Sequence, residues 1–334
     1  MKQVYFHIGM PKTATTFLQH NCFNTMAGVH FAHGSEDSDT ALYSIFEEIA
    51  RSNPTFYHPA AHQDQLNSIF QKIDADKAVI SNENLLGSPY FNFPNHQSCA
   101  ETIKNLVPDA KILLVIRRQD SWLESSYKQC LRHGFFVSVE HFLARRNGQF
   151  IDGRFPVGSR VQIDPRQLDY GKFVKTYAGL FGCENLLVVP YELLVAEPQT
   201  FLAKVYEFIG TEGAYITHGT NRNTGYSKFA GTLARLLNRF FVSEYHTSGF
   251  IPQQPLFDFF KSRRERNTLY RVLSSLTSRL SINYFLETVV DRTFHSGGRF
   301  ISPELAAIIR DINRDANRRL DKELNLGLDR FDYY

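Results

Sequence analysis

The chain has 334 residues, 43% hydrophobic and 21% charged, a balance that excludes a disordered segment, a coiled coil or a fibrous repeat. Its 37 Lys and Arg against 34 Asp and Glu leave +3, too little for nucleic-acid binding by bulk electrostatics, so anion recognition must be local. Cys22, Cys99, Cys130 and Cys183 lie far apart with no CxxC pair, which argues against a disulfide framework or structural zinc and for a reducing compartment.

Val4 to Ile8 is a short apolar run that stops at Gly9-Met10-Pro11, after which Thr13 opens a stretch with Phe17, Leu18 and Asn21 at helical spacing. Ala78 to Ile80 is a second short run. Lys111 to Ile116 is a third, continuous enough to be buried on both faces of a parallel sheet, and Leu123, Tyr127 and Leu131 then recur every four residues. Asn185 to Pro190 predicts a fourth strand between helices over Leu168–Phe181 and Pro198–Ile209, the latter with proline in its first turn and Gly210 past its end. Alternation of this kind predicts an α/β fold with a parallel sheet flanked by helices.

Two regions break the rhythm. Gly134 to Arg166 mixes aromatics, Gly, Pro and five arginines and reads as an elaborated loop or lid. Beyond Gly225 helical patterns take over, from Lys228 to Phe240, around Leu269 to Leu280 and from Leu305 to Leu324, with Ser302-Pro303 as the start of the last; Arg263-Arg264-Arg266 reads as a solvated face. Without a low-complexity linker, one domain over 1–334 is expected: an α/β core over 1–225 with 134–166 inserted, and a helical C-terminal part over 226–334. No stretch approaches a membrane span, so a cytoplasmic protein is expected, with peripheral membrane contact left open.

The chemistry concentrates at strand ends. Between the first strand and its helix lies Gly9-Met10-Pro11-Lys12-Thr13-Ala14-Thr15-Thr16, where loop amides, the helix N-terminus, the Lys12 charge and threonine hydroxyls can together hold a phosphate. The loop is not Walker A, because Pro11 stands where the second glycine belongs. The third strand ends in Arg117-Arg118-Gln119-Asp120, and Arg118 with Ser126 eight residues on can converge on a second phosphate. Two arginines followed by Asp120 and Glu124 read equally well as a salt-bridge network. His7 falls inside the first strand and reads as a packed, hydrogen-bonded core residue.

These residues resemble a family. Pro11 to Gln19 is similar to the 5′-phosphosulfate loop of sulfotransferases that use 3′-phosphoadenosine 5′-phosphosulfate (PAPS), and Arg118 with Ser126 has the spacing of their 3′-phosphate motif. Phe181 to Gly210 is similar to their later strand and helix, and Asn317-Arg318-Arg319-Leu320 to their C-terminal helix; Arg222 and Asn223 resemble a late nucleotide-contacting loop. Ala14 departs from the pattern, standing where glycine is usual, and the choice between Arg117 and Arg118 at the 3′-phosphate rests on spacing alone.

The resemblance implies in-line sulfuryl transfer from PAPS to a hydroxyl or amine of a carbohydrate-containing or glycolipid acceptor, with no metal. It makes Pro11, Lys12, Thr13, Ala14, Thr15, Thr16, Arg118, Ser126, Arg222 and Asn223 nucleotide-binding residues. Lys12 would stabilise the leaving phosphate. Glu83, just past the second strand on the same sheet edge, is the candidate general base, with capping of the following turn as its alternative role. A P-loop kinase, disfavoured by the absent Walker glycine, and a noncatalytic nucleotide-binding protein of the same fold are the rival readings.

Overall fold

The computed structural model describes residues 2–34, 39–52, 60–151, 161–213, 225–243, 246–263, 268–279, 281–294 and 297–334. Along the chain, β1 (Gln3–His7), α1 (Thr15–Asn21), β2 (Val29–Ala32), α2 (Thr40–Arg51), α3 (Ala60–Lys72) and β3 (Lys77–Ser81) are followed by α4 (His96–Leu106), β4 (Lys111–Ile116) and α5 (Gln119–Arg132). Then come α6 (Val139–Phe142), the two-residue strands β5 (Arg145–Arg146) and β6 (Gln149–Phe150), α7 (Tyr170–Phe181), β7 (Leu186–Pro190), α8 (Tyr191–Ala196) and α9 (Pro198–Ile209). The rest is helical: α10 (Lys228–Leu237), α11 (Gln253–Lys261), α12 (Thr268–Arg279), α13 (Ile282–Phe285), α14 (Asp291–Thr293) and α15 (Pro303–Leu324).

The apolar runs pair into one five-stranded parallel sheet in the order β2-β3-β1-β4-β7, with β1 central. Alternation sorts the side chains. Tyr5, Val79, Leu113, Val115 and Val189 join Leu18 of α1 and Phe201, Leu202 and Val205 of α9 in one core. Phe6, the neighbour of Tyr5, packs its ring against Phe46 of α2 at 4.7 Å. The chain leaves β1 toward β2 and β3 on one side and takes up β4 and β7 on the other, so the crevice at the carboxyl ends of β1 and β4 is the topological switch point.

Four strands coincide with the predicted runs to within a residue or two; β2 is additional. Its sequence, Val29-His30-Phe31-Ala32, is short, and only Ala32 is fully buried, so it lacks a continuous apolar run. α9 has Pro198 in its first turn and ends on Gly210 in the left-handed conformation, φ 67°. The Ser302 hydroxyl accepts from the Leu305 amide at the start of α15, as its sequence requires.

By internal contacts the chain forms two compact units that do not divide at residue 225. The first comprises Met1–Trp122, Pro165–Thr220 and Ile308–Tyr334, so most of α15 belongs with the sheet. Asn317 exchanges hydrogen bonds with Gln119 at 2.8 and 3.1 Å and donates to the Tyr333 carbonyl at 2.9 Å, all buried. The second comprises Leu123–Asp164 and Asn221–Ala307. There Asn238 donates to the carbonyls of Leu131 and Phe135, and Glu124 accepts the amides of Phe300 and Ile301. The described part of the 134–166 insertion, the elaborated loop or lid of the sequence reading, holds α6 and the β5–β6 hairpin. Of the cysteines, Cys22, Cys99 and Cys130 are buried, Cys183 is exposed, and all four are free thiols.

Asn317→Ala should destabilise the protein by about 2 kcal/mol, because it strands the Gln119 amide and the Tyr333 carbonyl in the core. A urea unfolding midpoint unchanged from wild type would contradict that assignment.

Candidate active site

The β1–β4 ladder continues beyond β1 and so builds the loop. Val115 N–H donates to the Gly9 carbonyl at 2.7 Å, and Met10 N–H donates back to the Val115 carbonyl at 2.8 Å. Gly9 has φ 113°, and a Cβ there would stand 3.2 Å from the Glu83 backbone oxygen, so glycine lets the end of β1 run directly past the segment after β3.

Three successive loop carbonyls are taken by side-chain donors. The Thr13 hydroxyl bonds the Met10 carbonyl (2.5 Å), the Trp122 indole the Pro11 carbonyl (2.8 Å) and Arg117 Nη1 the Lys12 carbonyl (2.8 Å). With these oxygens fixed, the loop turns into α1, whose first described internal bond runs from Leu18 N–H to the Ala14 carbonyl at 3.0 Å. The amides of Thr15, Thr16 and Phe17 precede that bond, where a helix keeps its unsatisfied donors. Ala14 adopts the left-handed conformation, φ 63° and ψ 30°, at a cost of about 1–2 kcal/mol relative to glycine. Of the predicted hydroxyls, Thr13 is buried in the loop's own bonding, Thr15 is buried and hydrogen-bonds Glu83, and Thr16 is exposed.

The adjacent arginines diverge. Arg117 bonds the Ser121 hydroxyl (3.0 Å) and the Lys12 carbonyl, and its guanidinium lies 4.6 Å from the Tyr191 ring centroid. Arg118 turns the other way: Nε bonds the fully buried Asp120 at 2.7 Å, and Nη1 bonds the Phe331 carbonyl at 3.2 Å. Asp120 also pairs with Arg310 at 3.3 Å. Burial disfavours the Arg118 charge, but the hydrogen bond and charge of Asp120 outweigh it and raise its pKa. This is the salt-bridge network that the sequence left open, built as a partly buried tie between strand end and C-terminus. Ser126 is buried, whereas Ser125, eight residues from Arg117, is only half-buried. Arg222 and Asn223 lie outside the described residues.

Glu83 opens a 3₁₀ turn directly after β3, and the cap of that turn is Asn82, whose side chain accepts from the Asn84 amide at 2.9 Å. The Glu83 carboxyl is therefore left for another task. Its Oε2 is buried without a hydrogen-bond partner. Burial pushes its pKa up, opposed by the Thr15 hydrogen bond and the Lys12 charge and reinforced by the charge of Glu47. His7, one strand over, is held neutral by burial, its pKa lowered to about 3, with Nδ1 2.8 Å from the Ser81 hydroxyl.

A sequence profile of the sulfotransferase family matches residues 5–214, a span that contains the loop, both arginines and Glu83. This chain belongs to the sulfotransferase family. Two solved sulfotransferases are similar to it at low identity. One, from Alicyclobacillus acidocaldarius, is 15% identical, with 67% of this chain and 88% of that one covered and a TM-score of 0.43. The other, mouse sulfotransferase SULT7A1 complexed with PAP, is 13% identical, with 82% and 89% covered and a TM-score of 0.36. No curated protein sequence matches the chain.

In this sulfotransferase the donors at the switch point are Lys12, the start of α1 and Arg117, with an unpartnered carboxylate oxygen beside them. A nucleotide bisphosphate fits that set by charge. Trp122 fixes the loop and Tyr191, inside the Phe181–Gly210 resemblance, backs Arg117; both roles emerge only from the contacts. A cavity of about 590 Å³, lined by Gly28, His30, Asp39 and Lys72 among others, sits at the opposite, N-terminal ends of β2 and β3, away from this chemistry.

A carboxyl whose folded-state pKa is raised costs stability as pH climbs from the ordinary carboxylate value through the folded one. Glu83→Gln should accordingly match wild type in thermal midpoint well below the ordinary value and exceed it by a few degrees at pH 8. Equal midpoints at both pH values would mean that Glu83 sits in a solvated environment.

Proposed function

We propose that this sulfotransferase moves a sulfuryl group from PAPS to a hydroxyl or amine of a carbohydrate-containing acceptor and releases the nucleotide bisphosphate. The observation that carries the reading is the position of Glu83. Its buried, partnerless Oε2 sits at the sheet edge where the Lys12 charge acts on it and Thr15 bonds it. When bound, PAPS supplies an activated sulfuryl group on a phosphate leaving group. The α1 amides and Lys12 would hold the 5′ side, and Lys12 would neutralise charge as it builds on that phosphate. Glu83 would take the acceptor proton at its carboxylate, and its raised pKa brings its basicity nearer neutrality, where a general base is most effective.

At the 3′-phosphate the geometry favours Arg117 over Arg118. Arg117 already bonds the Lys12 carbonyl of the loop and the Ser121 hydroxyl, whereas Arg118 is committed to Asp120 and Ser126 is buried. The carbohydrate class rests on Glu83, since a glutamate at this strand end is the style of glycan sulfotransferases. The arginine-bearing insertion adds less: Arg145 is paired with Glu140 at 2.8 Å, and Arg154 and Arg160 lie outside the described residues. The free thiols support a reducing compartment such as the cytoplasm.

Incubation with labelled PAPS and a panel of glycans, glycolipids and phenols, read by mass for added sulfate, tests the reading. Transfer to a glycan that survives EDTA is expected; transfer only to phenols overturns the acceptor class, and a strict metal requirement overturns sulfuryl transfer in favour of a phosphotransferase. Glu83→Gln should lower turnover about 10²–10⁴-fold with bisphosphate affinity intact, and Lys12→Ala should lower turnover more than affinity.

Arg117→Ala should weaken 3′-phosphoadenosine 5′-phosphate by about 2–3 kcal/mol while leaving AMP almost unchanged. Arg118→Ala should instead lower folding stability by about 1–3 kcal/mol, because the buried Asp120 loses its closest partner and keeps the longer pair with Arg310. The reverse pattern in calorimetric titration and urea unfolding would return the 3′-phosphate to Arg118.

A further inference from the structure

The second unit wears large apolar side chains on its surface. α10 packs inward through Ala230, Gly231 and Ala234, and a Cβ on Gly231 would stand 2.6 Å from the Phe300 ring, so small residues are required on that face. Its outward face carries Phe229, Leu233, Leu236 and, just past the helix end, Phe240, spaced by four, three and four residues as one stripe. Phe229, Leu236 and Phe240 are about half exposed. The Phe240 carbonyl accepts the amides of Phe250 (2.8 Å) and Ile251 (2.9 Å), which brings Phe250, at 84% the most exposed large apolar side chain among the described residues, to the end of the stripe. Phe294, 5.6 Å from Phe229 by ring centroid and 58% exposed, extends it at the other end. On α12 a second stripe, Leu269, Val272 and Leu276, is likewise exposed.

We propose that the outer face of α10, with Phe240 and Phe250 at its end, docks on the surface of an anionic lipid bilayer. Charge selects the occupant. Lys228 and Arg239 are exposed at the two ends of the stripe, and residues 228–279 carry nine Lys and Arg against three acidic residues, Glu244, Asp258 and Glu265. Apolar rings along one face and cations at its borders match acyl chains beneath anionic headgroups. Among the described residues no helix is long and apolar enough to cross a membrane, so the contact is interfacial. A basic, aromatic patch of this kind left in water is an association surface that a monomeric soluble protein would not keep.

The full chain should float with vesicles of phosphatidylcholine and phosphatidylserine, at least about tenfold more than with phosphatidylcholine alone, and high salt should release it. Phe240→Ser with Phe250→Ser, and separately Lys228→Glu with Arg239→Glu, should each cut that partition at least about tenfold. Because these side chains are exposed, the thermal midpoint should stay within a degree or so. Absence of flotation with anionic vesicles, or flotation that neither double variant lowers, overturns the proposal. Failure to float together with a dimer in light scattering that the double Phe variant dissolves would assign the face to a second copy of the chain.

Discussion

The site depends on two backbone hydrogen bonds that outlast their strands. β1 ends at His7, yet the exchange between Gly9, Met10 and Val115 carries its pairing with β4 onward, so the loop leaves from a fixed point on the sheet rather than from a free end. The three carbonyls that follow are held by Thr13, Trp122 and Arg117, two of them donors from the segment after β4. Turning the oxygens onto fixed donors commits the loop's acceptors, and in the proposed reaction Lys12 and the start of α1 would meet the anion. Preorganisation of this kind removes the ordering cost from the binding step. It also explains the tolerance for Ala14 in a left-handed conformation: a strain of about 1–2 kcal/mol persists where the surroundings over-determine the backbone.

Adjacent arginines at the end of β4 perform separate work because consecutive side chains leave an extended backbone on opposite sides. Arg118 faces the C-terminal turn, where Asp120, Arg310 and the carbonyl of Phe331 close a network around the strand end. Its backbone amide also reaches Glu192 at 3.1 Å, which in turn accepts from the Tyr333 hydroxyl at 2.8 Å. The last residues of the chain therefore brace the base of the candidate site. Arg117, backed by the Tyr191 ring, faces the loop instead. One arginine ties the strand end to the C-terminal turn and the other bonds the loop.

This division was not legible in the sequence, and the reason is specific. Spacing of eight residues relates Arg118 to Ser126, but it also relates Arg117 to Ser125, so periodicity cannot choose between the pairs. Only side-chain direction can, and the tertiary partners that fix it are the carbonyls of Phe331 for Arg118 and of Lys12 for Arg117. The sheet was more readable, since β4 and β7 are near-continuous apolar runs and α9 is bracketed by Pro198 and Gly210. β2 escaped because an edge strand of four residues with a histidine has no such signature. The grouping of α15 with the sheet is not legible in the sequence for a related reason. Helical periodicity marks where α15 begins but not which unit its buried Asn317 will join.

Glu83 owes its raised pKa first to burial, and a second carboxylate nearby adds to it. Asn82 and Asn84, the residues on either side of it, both donate to Glu47 of α2, at 2.9 Å and 3.2 Å. Burial works against the Glu47 charge, but the hydrogen bonds from Asn82, Arg51 and Asn84 hold its carboxyl below the usual range. Glu47 is thus fixed as an anion, and its charge adds to the burial that lifts Glu83. Two carboxylates on neighbouring segments are driven apart in acidity, Glu47 lowered by the hydrogen bonds it accepts and Glu83 raised chiefly by its burial. In the proposed reaction Lys12 opposes that lift, so neutralisation of Lys12 by a bound anion would remove the opposition. The acceptor's proton would then meet a carboxylate whose affinity for it rises when the donor site is filled, which couples base strength to occupancy without any movement of the backbone.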